Sequence, residues 1–322
     1  MIKRKFSVQP GWRKFPVPLG GRWRAAVEIS DVHAKFHALR DGNRFIPALG
    51  VWDAYTARVA ERLGIECVHL GGYRMGVHYV TSEPLLSMTE VAQTCRYVTA
   101  AVDIPVVVDV GAGFGEPLHV MRMVREMERA GASCIQIEDQ AYPKRVHYHK
   151  GVEHLIAPGE MVDKIKVALD ARSGTGMTVM ARTDAMRTHG FEEGVRRARS
   201  YLDAGAEMVM VFPNTEEEAR LAPREIGGNV TYTNSEGNRF GRPTFTAAQF
   251  QEMGYKLAIY PAALLCPLTQ EMKRVITNLV ETGETDLPKD EMIAWRDEVE
   301  ELIGLDALYR IESETVENEG ER

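Results

Sequence analysis

The chain has 322 residues, 44% of them apolar, with 28 glycines and 15 prolines, enough to bury a large core in one or two domains. Its net charge is −7, and its one basic cluster near the start, Lys3, Arg4 and Lys5, is too small to suggest nucleic-acid binding. Nowhere is there an apolar run long enough for a membrane span or a signal-like start, and Cys67, Cys95, Cys134 and Cys266 lie far apart without metal-type spacing. A soluble cytoplasmic protein with free thiols, no membrane contact and no nucleic-acid partner is expected.

Residues 1–44 read as a basic, Pro- and Gly-containing arm followed by a helix around 25–39. From Phe45 onward, short apolar runs alternate with helical patterns. Strands are predicted at 45–49, 67–70, 106–110, 134–138, 178–182, 208–212, 230–233 and 256–260. Their apolar character is continuous rather than alternating, as in strands covered on both faces. Helices are predicted at 54–63, 89–98, 117–129, 158–170, 191–204, 215–221 and 246–253. Thr89-Glu90 and Thr215 with Glu216–Glu218 suit helix starts, and Gly131 and Gly205 suit left-handed helix ends. Eight strands with this alternation predict an α/β fold, a closed (β/α)₈ barrel over 45–262. The competing doubly wound sheet usually has fewer strands and a glycine-rich dinucleotide turn. Beyond it, helices over 263–306 must cover their apolar faces, for which a second subunit is a natural partner. Residues 307–322 form a polar, Glu-rich tail, expected to lack order from about Glu312.

In a barrel, function gathers at the carboxyl ends of the strands. Gly71 and Gly72 follow strand 2, where backbone N–H groups could hold a carboxylate or phosphate; a tight turn explains them equally well. Asp109 follows three valines, and a lone acid there needs a partner or a cation. With Glu138 at the end of strand 4 it could hold Mg²⁺, directly or through water, unless Glu138 pairs with Lys144 or Arg145. Arg182 suits a two-pronged grip on a carboxylate, or an internal ion pair. Lys144, Arg145, His147 and His149 crowd the loop after strand 4, either as a lid carrying acid–base groups or as a solvated basic turn. Asn234, Ser235 and Glu236, then Gly241-Arg242-Pro243, add polar groups to the same rim.

From about Phe45 to Ala262 the chain resembles the isocitrate lyase/phosphoenolpyruvate mutase superfamily. The resemblance rests on Pro47-Ala-Leu-Gly-Val-Trp-Asp53, Asp109 with Gly113-Phe-Gly115, Ile137-Glu-Asp-Gln140, Pro143-Lys-Arg145, Ala181-Arg-Thr-Asp-Ala185, Phe212-Pro213 and Asn234-Ser-Glu236. It implies an enzyme dependent on Mg²⁺, with Mn²⁺ an alternative, acting on a small carboxylate substrate. It also implies a last helix exchanged between subunits of a homo-oligomer, a dimer of dimers. By position, Asp109 matches a direct metal ligand and Glu138 one that acts through water. Gly71 and Gly72 match the backbone cradle, Arg182 the carboxylate-binding arginine, and Asn234 and Ser235 the groups at the distal end of the substrate. Lys144 and Arg145 match the start of the catalytic loop.

The departures from that pattern shape the expectation. Lyases acting on isocitrate and methylisocitrate have Lys-Lys/Arg-Cys-Gly-His in the loop, with cysteine as acid/base, where this chain has Lys144-Arg145-Val146-His147-Tyr148. The usual Asp-x-Asp is Asp109-Val110-Gly111, a serine is replaced by Gly71, Pro-Asp-x-Gly has become Ser82-Glu83-Pro84, and Asn214 stands for a glutamate. One to three carboxylates are thus lost near the metal, with Glu83 or Glu116 as replacements. His147 or His149 would take over from the thiol, with Tyr73 or Tyr148 as weaker candidates. The activity expected is carbon–carbon cleavage of a substituted malate- or citrate-like acid through an enolate. The alternatives are oxaloacetate-type decarboxylation, C–P bond chemistry and carboxylate binding without turnover.

Overall fold

A computed structural model describes residues 28–174 and 176–317. The basic arm over 1–27 and the last five residues of the tail lie outside the described residues.

Eight parallel strands pair in sequence order and close on themselves. They are β1 (Ile46–Val51), β2 (Val68–Leu70), β3 (Val106–Asp109), β4 (Cys134–Glu138), β5 (Thr178–Arg182), β6 (Met208–Met210), β7 (Val230–Thr233) and β8 (Leu257–Tyr260). Pairing of β1 with β8, Ile46 against Leu257, makes the closure. The expected (β/α)₈ barrel is therefore observed. The continuous apolar runs have their predicted cause: every residue of β4 is buried, as is every residue of β3. Inward side chains such as Ile46, Val107, Cys134, Met180 and Leu257 fill the barrel, and a larger cluster lies between strands and helices. A fully buried valine or leucine contributes roughly 1.5–3 kcal/mol relative to exposure, so the apolar strand centres carry much of the stability.

Helix α1 (Ile29–Asp41) precedes the barrel. Its Phe36 joins the barrel-interior cluster, and His37 Nε2 lies 2.6 Å from the Gly176 carbonyl just ahead of β5. This helix covers the amino-terminal mouth, so the opposite mouth is the open one.

The outer helices are α2 (Ala54–Arg62), α3 (Gly72–His78), α4 (Met88–Ala101), α5 (Pro117–Arg129), α6 (Pro158–Ala171), α7 (Ala185–His189), α8 (Phe191–Asp203), α9 (Glu216–Ile226), α10 (Ala247–Met253) and α11 (Leu265–Thr282). Thr215 caps α9 as expected, accepting from the Glu218 N–H. The α4 start is shifted: Ser87, not Thr89, is the cap, and Ser87 and Glu90 bond reciprocally in a capping box. Two helices were not expected. Gly71-Gly72 opens α3 rather than ending in a tight turn, and α7 follows Asp184 at once.

Residues 28–293 form one compact unit, and the described residues from Ala294 onward belong to another. There α12 (Met292–Ile303) continues and α13 (Leu305–Thr315) follows. The stretch expected as an unstructured polar tail is thus helical to Thr315. The expectation weighed its charge and not its spacing, whereas Leu305, Leu308 and Ile311 recur at helical intervals.

Candidate active site

Parallel register places the ends of β3, β4 and β5 side by side. Glu138 is the β-register partner of Arg182, and Asp109 that of Gln136, two residues before Glu138. Asp109 is 7% exposed and Glu138 fully buried. Asp109 accepts the Gly111 N–H at 3.0 Å and the Gly72 N–H at 3.3 Å, so the Gly72 donor is turned toward the acid. Both glycines of the pair are needed for space. A Cβ on Gly72 would come 2.4 Å from the Glu83 side chain, and one on Gly71 would come 2.7 Å from Arg74.

Arg74 is buried and holds the strand ends together. Its guanidinium donates to the carbonyls of Val51, His69 and Pro261 and lies 2.6 Å from His69 Nδ1, joining the ends of β1, β2 and β8. Burial, and then Arg74, push the His69 pKa well down, so the ring is neutral.

The loop over 143–151 folds across the site, its Val146–Lys150 stretch a short 3₁₀ turn. Lys144 reaches inward. Its ammonium is 2.8 Å from Glu138 Oε1, contacts Glu83, and lies 4.1 Å from the Tyr148 ring centre. Glu138 Oε1 accepts no hydrogen bond despite that closeness; the well-directed bond from Lys144 goes to Oε2 at 3.1 Å. Tyr148 donates to Glu83 at 2.6 Å. Burial raises Glu138 to about 7 against the pull of Lys144 and Arg182. Burial also opposes the charge on Lys144, but Glu138 and Glu83 outweigh it and hold the ammonium charged. Burial, then Glu83, pushes the Tyr148 phenol far up, so it keeps its proton.

The other loop residues divide. His149 Nε2 lies 3.0 Å from Ser82 Oγ, its ring packs on Tyr148 and meets the edge of Tyr73, and burial lowers its pKa. Arg145 and His147 are exposed, and Tyr73 is 53% exposed. Glu83, not Glu116, joins the acidic set; Glu116 stands exposed at the start of α5.

Both internal pairings weighed against ligand roles occur here. Glu138 pairs with Lys144, and Arg182 pairs with Glu138 at 3.3 Å and Asp184 at 3.1 Å. Asp184 also accepts from Gln140 at 2.6 Å. Asn234 spends both ends of its amide on the Phe245 backbone, at 3.0 Å each, and so shapes its own loop. Ser235 is half-buried beside it. Tyr148 and Gln140 belong to this centre more firmly than spacing suggested. Their signal was position alone, next to strand 4 and within its loop.

Four acids, Glu83, Asp109, Glu138 and Asp184, face two cations, Lys144 and Arg182. An all-oxygen donor set with Asp109 and Glu138 at its centre fits a hard divalent cation. Among the described residues no group of three or more His, Cys, Asp or Glu forms a ready-made cage, so such a cation would rest on two carboxylates, water and substrate. Position 111 faces this centre, since a Cβ there would meet only Glu138 Oε1, at 3.9 Å.

The family described as PEP_mutase, phosphoenolpyruvate phosphomutase, matches residues 36–280. The chain belongs to this family. It thereby falls in the isocitrate lyase/phosphoenolpyruvate mutase superfamily. It is 35% identical over 282 residues to the 2,3-dimethylmalate lyase of Eubacterium barkeri, covering 87% of this chain and 96% of that protein. To the 2-methylisocitrate lyase of Aeropyrum pernix it is 37% identical over 262 residues, covering 80% and 83%. A crystal structure of 2,3-dimethylmalate lyase superposes with a TM-score of 0.80 at 28% identity, covering 89% of this chain and 95% of that one. Both relatives are named lyases. Among the described residues no helix is long and apolar enough to cross a membrane.

Proposed function

We propose that this family member is a carbon–carbon lyase for a substituted malate- or citrate-like acid. The observation that carries the reading is the convergence of Glu83 and Glu138 on one ammonium, Lys144, with Asp109 lining the same pocket at the open end of the barrel. Asp109 and Glu138 are the residues that would hold Mg²⁺ or Mn²⁺, with Glu83 restoring charge that Gly111 does not supply. Such an ion, when bound, neutralises the 2-oxy carboxylate end of the substrate.

The chain's own residues divide the remaining work. The Gly71-Gly72 backbone and Arg182 flank the place for that carboxylate. His149, neutral in its half-buried setting, is the base that takes the substrate hydroxyl proton. Cleavage makes the hydroxyl-bearing carbon a ketone, and the bonding pair passes to the neighbouring carbon as an enolate. The protonated His149 then returns its proton to that carbon. Tyr148 keeps its own proton and positions Glu83. The lid closes this centre to water through Lys144, while Arg145 and His147 remain outside the chemistry, as does Tyr73, which supports the His149 ring.

The reading includes a homo-oligomer. Helix α11 has no buried residue and exposes Leu268, Met272, Ile276 and Leu279 at helical spacing, a face suited to a second copy.

The test is product analysis by NMR after incubation with Mg²⁺ and a panel of substituted malates, methylisocitrate and oxaloacetate. Cleavage of a malate or isocitrate to a 2-oxo acid and a second carboxylate is expected. Carbon dioxide from oxaloacetate, with the hydroxy acids untouched, would sink the lyase reading.

A further inference from the structure

The rim over β5 to β8 carries an exposed arginine, Arg239, and three less exposed ones, of which only two have acids. Arg182 is held by Glu138 and Asp184. Arg187 pairs with Glu153 at 3.0 Å and lies 4.4 Å from the Phe240 ring centre. Arg242, in the loop after β7, has no carboxylate within salt-bridge distance among the described residues, and its Nε is buried without a hydrogen-bond partner. Its guanidinium carbon stands 4.9 Å from the centre of the Phe212 ring, which Arg182 also covers at 4.6 Å. Two cations thus share one aromatic ring.

The loop that carries Arg242 is built to hold it. Asn238 accepts the Arg242 N–H and donates to the Arg242 carbonyl, both at 2.9 Å, and Asn234 ties the loop's far end to Phe245. A desolvated guanidinium repelled by two neighbours of like charge is costly unless an anion arrives. Burial, then Arg187 and Arg182, lower its pKa accordingly.

We infer that Arg242 binds the second carboxylate of the substrate, the one on the carbon that departs as the enolate. The inference rests on the lyase reading for its chemistry, because cleavage of a malate sends the bonding pair to the carbon bearing that second carboxylate. Negative charge then grows on the carboxylate oxygens, and a planar two-pronged donor meets it. The site would thereby select dicarboxylates over 2-hydroxy monoacids of similar size.

The experiment is calorimetry in Mg²⁺ with three probes: malate, 2-hydroxybutyrate and oxalate. Malate should bind the unaltered protein roughly 30-fold or more tighter than 2-hydroxybutyrate, as for a buried charge-assisted pair. Arg242→Gln should erase that gap while oxalate affinity stays within twofold, and Arg242→Lys should keep part of it. A gap that survives in R242Q, a gap absent from the unaltered protein, or joint loss of gap and oxalate binding would each overturn the inference. If oxalate fails to bind yet the gap exists and depends on Arg242, the enolate chemistry is wrong and the Arg242 assignment stands.

Discussion

The ends of β3 to β5 and the rim over β7 and β8 solve opposite problems. At the first, each charged group has a partner: Asp109 has backbone N–H groups, Glu138 has Lys144 and Arg182, and Arg182 in turn has Asp184. Asp109, Glu138 and Arg182 sit on strands whose register is fixed by the barrel, and Lys144 and Asp184 reach them from the segments that follow β4 and β5. At the second, Asn234 and Asn238 spend their amides on their own loop, and Arg242 is left with an unanswered charge. On the proposed reading, the difference separates reaction from choice. The anchoring acids Asp109 and Glu138 and the matched Arg182 are built on strands, and the unmatched Arg242 on a loop.

The largest effect should come from breaking the matched side. Asp109→Ala or Glu138→Gln should lower turnover with Mg²⁺ by roughly a thousandfold or more, since the charge stabilisation of the reaction is lost. Near-wild-type turnover in D109A would remove the cation-holding role altogether. His149→Gln should cost on the order of a hundredfold in kcat, and His147→Gln under threefold, as expected when only one of two imidazoles transfers a proton. Equal losses in steady-state assays would place the base elsewhere.

Lys144→Met sharpens the comparison from the side of stability. Removing the ammonium leaves buried Glu83 and Glu138 without their common partner, at a cost of about 3–5 kcal/mol. The melting temperature should fall in chelator and recover on adding Mg²⁺ by more than the parent protein gains. A variant indifferent to Mg²⁺ would show that the acids do not gather around a cation. The smallest effect is chemical. Burial pushes Cys67 and Cys95 up to about 12 and raises Cys134 well above the ordinary thiol range, whereas Cys266 is exposed. Their thiolate fraction is negligible at pH 8, so a thiol reagent should count one reactive cysteine in the folded protein and four after denaturation.

How much of this was legible beforehand follows from what each feature depends on. β4 and β5 are written in short, mostly apolar runs that end in a charged residue, and Thr215 with its acids marks a helix start through local chemistry alone. Helix α3 was hidden because glycines are poor helix formers. Gly71 and Gly72 are there for the space that Arg74 and Glu83 occupy, a tertiary demand invisible in the local pattern. Asp109, Glu138 and Arg182 were found by their places at strand ends. That Arg182 is already held by Asp184 while Arg242 is not depends on how two loops fold, and single residues do not announce it.

Gly111 carries a consequence of another kind. Its φ of +53° is one that aspartate and asparagine tolerate better than most side chains, and the space before it is open as far as Glu138. In the proposed reading, the affinity for the ion would be adjustable by a single replacement here, at a position where an added Cβ meets no neighbour closer than 3.9 Å. Evolution, or an engineer, would tune the set point of the proposed ion site here independently of the rim that carries Arg242.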